Sequence, residues 1–257
     1  PPRSTLFPYT TLFRSQFFIA PNSLPELHSL TVSDASFSDV SIRSLTSLPK
    51  LRHLSLIGVT PFRDLLPKLL PLRDCLKSLE LVFNGSVQVW TRLHLFPHLH
   101  TLKCTGFLSL STIGKAVSLR SFSVFNRGFH LILDDFQTPH LRELRIECLS
   151  ATLTPEVQQG LSGLKHLSIY APQGVNLSGL TNLPCLETFE CHSNPSCFQH
   201  LRPGQMELPR LRLVKFTGIQ TPDKWWEELE ALPHPGWRVH HYGEPNDYNM
   251  IQIWRPC

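Results

Sequence analysis

Leu48-Pro49-Lys50-Leu51-Arg52-His53-Leu54-Ser55-Leu56 decides the reading of this chain, because its last six residues recur along most of the length. The recurring form is L-x-x-[LFV]-x-[LVICF], usually with a Pro two residues before the first Leu. It begins at Leu27, Leu51, Leu76, Leu99, Leu119, Leu141, Leu164, Leu186 and Leu211, at intervals of 20 to 25 residues that average 23. Side chains alternate across a strand, so Leu54 with Leu56, or Leu144 with Ile146, point to the same side. The Leu three residues earlier completes the layer as the chain turns into the strand. One such unit cannot bury its Leu face alone, but stacked units bury it against their neighbours. The spacing therefore predicts parallel strands lining one side of a stack, with returning segments on the other.

The composition agrees. The 257 residues include 44 Leu, and 41% of the chain is apolar against 17% charged, which gives a substantial core and argues against disorder. No apolar run reaches the ~18–20 residues of a membrane span. Seven Cys, an odd number spread over the length, speak against a secreted disulfide framework and suit a cytoplasmic or nuclear setting.

Residues Thr5–Ser15, TLFPYTTLFRS, resemble the forward translation of a common short-read sequencing adapter. On that resemblance residues 1–15 are set aside as an artefact of sequencing or cloning. Removing Arg3 and Arg14 takes the formal charge from +4 to +2. With no basic cluster interleaved with aromatics, nucleic acid is not an expected partner, nor is a membrane.

The nine-fold pattern resembles the leucine-rich repeat superfamily, whose plainest form, LPxLRxLxL, is met at Leu48–Leu56. The resemblance implies an α/β leucine-rich repeat solenoid, curved, with a parallel sheet on the concave face and short irregular helices and turns on the convex one. About nine repeats would fill residues 16–218. Many members carry Asn at the ninth position; here only Asn84 and Asn194 do. Phrases such as TPHLRELRIE (Thr138–Glu147) look more like the repeat regions of F-box proteins, especially fungal ones. That likeness implies substrate recognition for a cullin–RING ubiquitin ligase, joined through an F-box upstream of residue 16. Stretches such as LPKLRHLSL are also similar to the ligand-sensing repeats of intracellular immune receptors.

The returns are uneven. Ser38–Leu45 and the Thr154-Pro155-Glu156 start predict short helices, and Phe62–Leu70 predicts about two turns around Pro67. Gln173–Leu183 predicts no more than a turn. Beyond the array, residues 219–257 predict a C-terminal cap, with Trp225, Leu229 and Leu232 on one helix face and strands near Trp237–Tyr242 and Met250–Trp254.

Repeat proteins of this kind bind partners with the outward residues of the sheet. The column after the first Leu reads His28, Arg52, Lys77, His100, Arg120, Arg142, Lys165, Glu187, Arg212, six of nine permanently cationic. It offers a basic ladder for an acidic partner, although Lys or Arg is also an ordinary solvated choice there. Just past the last buried strand residue lie Ile57, Val82, Phe125, Tyr170 and His192, candidate apolar anchors for a protein. The expected contact residues are Arg52, Ile57, Lys77, Val82, Arg120, Phe125, Arg142, Arg145, Lys165 and Tyr170, with Arg120, Phe125, Arg142, Arg145 and Tyr170 at the centre.

No catalytic or nucleotide-binding motif is present, so no enzyme and no cofactor are expected. Cys191, His192, Cys197 and His200 form the one metal-like spacing. Cys191 and His192 fall on opposite sides of a strand, so no metal is expected there either.

Overall fold

The computed structural model describes residues 9–13, 24–34, 39–59, 65–83, 93–105, 116–133, 138–177, 183–193, 208–218, 238–242 and 249–254. The chain divides into two compact units, Pro1–Arg120 and Ser121–Cys257.

In the first unit, strands β1 (Tyr9–Phe13), β2 (Ser29–Ser33), β3 (His53–Val59), β4 (Ser78–Phe83) and β5 (Thr101–Thr105) lie side by side in that order, all parallel. In the second, β6 (Ser121–Leu133), β7 (Glu143–Leu153), β8 (His166–Ala171), β10 (Thr188–Ser193) and β11 (Leu213–Gly218) do the same. A short β9 (Gly174–Asn176) pairs with the far half of β7. Within each unit the L-x-x-L-x-L segments thus end in neighbouring parallel strands, in register: Leu54 faces Leu30 and Leu79, and Ile146 faces Val124 and Ile169. Each unit has the α/β leucine-rich repeat fold that the resemblance implies.

The core is the stack of inward side chains. The first Leu of every repeat is at most 8% exposed, as are both inward strand residues, from Leu30 and Val32 to Val214 and Phe216. Burying one such side chain stabilises by roughly 1.5–3 kcal/mol. Neighbouring layers share that gain, so no single repeat holds it alone.

A second device sets each repeat's entry. The N–H of the first Leu donates to the carbonyl three residues back, as in Leu51 to Leu48 and Leu141 to Thr138, at 2.9–3.4 Å. Leu76 differs, reaching four residues back to Leu72. In six repeats the turn position after that acceptor is Pro (25, 49, 97, 139, 184 and 209), whose fixed φ suits the second residue of a tight turn. The acceptor residues form a fourth ladder, and Leu48, Leu72, Phe96, Ala116, Thr138, Leu161 and Leu183 are buried in it.

Thr138 is the misfit. It is fully buried, and its hydroxyl has no hydrogen-bond partner. A buried polar group left unpaired costs about 1–3 kcal/mol. Thr138→Val keeps the shape and removes that penalty, so it should raise stability by about 1 kcal/mol, read as a higher urea midpoint at unchanged slope. A lower midpoint would show the hydroxyl to be useful.

The row residue after each first Leu carries the third device. The carbonyl of His28 accepts the N–H groups of Arg52 (2.8 Å) and His53 (3.0 Å). Arg52 and Lys77 do the same for the next rungs, and Arg142, Lys165 and Glu187 repeat the arrangement in the second unit. This carbonyl ladder ties neighbouring repeats at a fixed point just before each strand.

The returns depart from expectation in one unit more than the other. Helix α1 (Asp39–Thr46) buries Ile42 and Leu45. A single helical turn, α2 (Leu65–Lys68), takes Pro67 in its first turn, where the missing N–H is no loss, and a 3-10 turn follows at Leu70–Leu72. A helix begins as expected after Pro155, but α3 (Val157–Gly160) is one turn only. The correction lies just before it. Strands β6 and β7 continue past the open face, through a register shift between Asn126 and His130, and pair again from His130↔Ser150 to Leu133↔Leu153. Residues Gly174–Asn176, expected as a turn, add the third strand to this return sheet. Leu131, Leu133, Ala151, Leu153 and Val175 are buried there. Burial recurs at every second residue, Leu131 with Leu133 and Ala151 with Leu153, which is the period of a strand and not of a helix.

Two further observations concern the ends. Tyr9–Phe13, set aside from the expected fold, pairs in register along β2 from Tyr9↔Ser29 to Phe13↔Ser33. A short β-prone stretch beside an open strand edge has every hydrogen-bonding group it needs to pair there. At the other end, β13 (Asn249–Trp254) runs antiparallel to β11, and β12 (Arg238–Tyr242) antiparallel to β13. Trp225, Leu229 and Leu232 lie outside the described residues, as do Asn84, Asn194, Cys197 and His200.

Candidate interaction face

In each unit the outward residues of the strands form an open face. The second unit concentrates its chemistry in one column. Register places Phe125 beside Glu147, Glu147 beside Tyr170, Tyr170 beside His192, and His192 beside Thr217. The pleat turns all five outward, away from the Leu layers.

The column is bound together by charge and ring contacts. Glu147 is 8% exposed although it stands on the open face. Two guanidinium groups cover it: Arg145 at 2.9 Å, from the same strand, and Arg127 at 3.2 Å, from β6. Arg127 reaches it because the register shift after Asn126 turns this part of β6 away from regular pairing. Each arginine also stands over an aromatic face. The Arg145 guanidinium lies 5.6 Å from the Phe125 ring centre, and that of Arg127 lies 5.8 Å from the Tyr170 ring centre. Tyr170 stacks on His192 at 4.4 Å with the planes 8° apart. His192 in turn shares a 2.9 Å hydrogen bond with the Thr217 hydroxyl. Burial lowers the His192 pKa, which favours the neutral, stackable ring.

The result is a set of side chains whose geometry is fixed before any partner arrives. Glu147 offsets one of the two arginine charges while holding both side chains in place. Aromatic and Arg side chains on a rigid face are the types that dominate protein–protein contacts. Beside them, Ser121, Ser123, Glu143, Ser168 and Glu190 line a shallow hollow together with Phe122, Leu144 and Leu167.

Of the ten expected contact residues, Phe125, Arg145 and Tyr170 meet in this cluster. Arg142 is exposed nearby in sequence but takes no part in it, and Lys165 is spent on a 2.7 Å ion pair with Glu187. Arg52, Lys77 and Arg120 belong to the first unit, where all three are exposed, while Ile57 and Val82 are half-buried on its outward column. Arg127 and Glu147 were not among the expected residues. A signal for Glu147 existed: it is the one carboxylate in a column otherwise read for its apolar members, directly between two aromatics.

The cysteines point away from chemistry. Cys75, Cys104, Cys148, Cys185 and Cys191 are thiols and not halves of disulfides. Cys104 and Cys191 fill inward ladder positions, and burial pushes the Cys104 thiol far up and that of Cys148 up to about 12. His192 faces the open side while Cys191 is buried, so the two diverge as the pleat requires. Among the described residues no group of three or more His, Cys, Asp or Glu is placed to hold a metal ion, and no helix is long and apolar enough to cross a membrane.

No family model matches the sequence, and no curated protein matches it either. Among solved structures, the chain is similar to the crystal structure of Listeria monocytogenes InlP at 14% identity. That match covers 92% of this chain and 81% of the other, with a TM-score of 0.44.

Proposed function

We propose that the protein is a non-enzymatic scaffold that grips a protein partner on the open face of its second unit. The observation that carries this reading is the Phe125–Arg145–Glu147–Arg127–Tyr170 cluster, where two aromatic rings and two arginines are held outward by one covered carboxylate. Rigid anchors lose little side-chain freedom on association, so more of the contact energy appears as affinity. Support for a finer reading comes from the F-box-like phrase at Thr138–Glu147: the partner is a substrate for ubiquitin transfer, and an F-box upstream joins cullin–RING subunits.

Changing Phe125 and Tyr170 together to Ala tests the scaffold reading. Tyr170 is 36% exposed and Phe125 half-buried on the outward side, so the double variant should keep its unfolding midpoint close to that of the parent. Loss of two anchors should weaken retention of proteins co-purified with the parent chain by about tenfold or more. Equal retention at equal stability would defeat the reading. Sequencing the transcript upstream of residue 16 tests the finer one, and the absence of an F-box there would remove it.

A further inference from the structure

The first unit carries a different kind of face. We propose that its row Arg52–Lys77–His100–Arg120 is a docking track for an extended, Asp/Glu-rich peptide segment of a protein partner.

The row is built into the backbone. The N–H of Arg52 donates to His28, that of Lys77 to Arg52, that of His100 to Lys77 and that of Arg120 to His100, each at 2.8 Å. Each residue therefore starts one rung, and rungs repeat at about 4.8 Å. Arg52, Lys77 and Arg120 are exposed, and among the described residues no carboxylate forms an ion pair with any of them. The equivalent positions of the second unit are Arg142, Lys165, Glu187 and Arg212, where Lys165 is neutralised by Glu187.

Like charges on adjacent rungs repel, and the repulsion is visible at the half-buried ring between them. Desolvation holds His100 below the ordinary histidine range, and Arg120, Lys77 and His98 push it the same way. An anionic chain laid along the row relieves this repulsion. Glu80, the carboxylate of the neighbouring column, is occupied by Lys103 at 2.6 Å and Ser55 at 2.8 Å. Around it stand the hydroxyls of Ser29, Thr31, Ser33, Ser78, Thr101 and Thr105, with half-buried Ile57 and Val82 able to receive apolar side chains.

The dimensions favour a peptide. Three intervals from Arg52 to Arg120 span about 14 Å, and an extended chain at about 3.3 Å per residue covers that with five or six residues. Its alternate side chains recur at about 6.7 Å, a spacing that flexible Lys and Arg stems accommodate. Nucleic acid is disfavoured because none of these residues is Phe, Tyr or Trp, and a single row neutralises few phosphates.

The proposal names a partner chemistry within the scaffold reading, but it uses none of the second unit's cluster. The probe is a fluorescein-labelled, end-blocked peptide of alternating Glu and Ser, compared by anisotropy with its Gln counterpart on the full chain. The Glu peptide should bind and the Gln peptide should not, with affinity falling as salt rises from about 50 to 300 mM. The exposed double variant Lys77→Gln/Arg120→Gln should weaken the Glu peptide about tenfold or more, whereas Arg142→Gln/Arg212→Gln should change it less than about twofold. Equal binding of the two peptides, indifference to the first pair of substitutions, or displacement of the peptide by a much tighter oligonucleotide would each overturn the assignment. Partner capture that depends on Phe125 and Tyr170 would survive any of those results, so the two readings fail separately.

Discussion

Phe189→Ala should destabilise the second unit by about 4 kcal/mol, the largest single-residue effect expected in this protein. Phe189 is 1% exposed and sits in β10 between Leu167 and Val214 on the flanking strands. Its ring meets Phe216 edge-to-face at 5.9 Å, with an interplanar angle of 87°. Truncation removes the transfer energy of the ring, the edge-to-face contact and the packing of both neighbouring layers. A stack cannot close the gap by shifting one repeat, because the carbonyl ladder fixes each strand against the next. Phe189→Leu fills most of the space and should cost about 1.5 kcal/mol or less. Urea unfolding followed by circular dichroism measures both. A loss below about 1 kcal/mol for the Ala variant would mean that the layer collapses around the cavity, contrary to the rigid stacking described here.

Gly163→Ala should rank second, with a cost of about 2 kcal/mol. A Cβ at this position would lie 2.5 Å from the Pro139 carbonyl oxygen and 3.5 Å from that of Leu141. Both atoms are main chain in the preceding repeat's entry turn, which is itself closed by the Leu141 to Thr138 hydrogen bond at 2.9 Å. The turn must move for Ala to fit, and moving it disturbs two repeats. Elsewhere Gly→Ala gains about 0.4–1 kcal/mol by restricting the unfolded chain. Gly128 supplies that comparison, since nothing lies within 4 Å of where its Cβ would be. The two substitutions should therefore shift the urea midpoint in opposite directions. The same direction for both would show that backbone entropy, not close approach, governs Gly163.

Most of the fold was legible because Leu spacing and strand alternation report the same burial. Leu54 and Leu56, or Leu144 and Ile146, can be read as inward from sequence, and they are inward. What escaped was carried by position rather than residue type. Phe96, Ala116 and Thr138 share one ladder, yet nothing in their side chains marks them as equivalent; the shared turn hydrogen bond does. The return strands at His130–Leu133, Ser150–Leu153 and Gly174–Asn176 are too short for their alternation to outweigh a nearby helix start. Tyr9–Phe13 pairs with β2, and its resemblance to a translated adapter concerns its origin and not its pairing.

The candidate face was legible in part for the same reason. Two-residue alternation put Phe125, Arg145 and Tyr170 outward. It did not bring in Arg127, which depends on a register shift that no residue pattern announces. Glu147 escaped because a carboxylate on an outward column is ordinarily solvated, and only its two guanidinium neighbours make it otherwise.

The ladder of doubly accepting carbonyls has one more consequence. Repeats of 22 to 25 residues deliver the chain back to the same anchoring point, so length variation is absorbed on the far side of each coil. Insertions or deletions there leave the pitch of the working surface unchanged. Such a molecule can drift freely in its outer loops while its recognition residues keep the tick marks of a ruler.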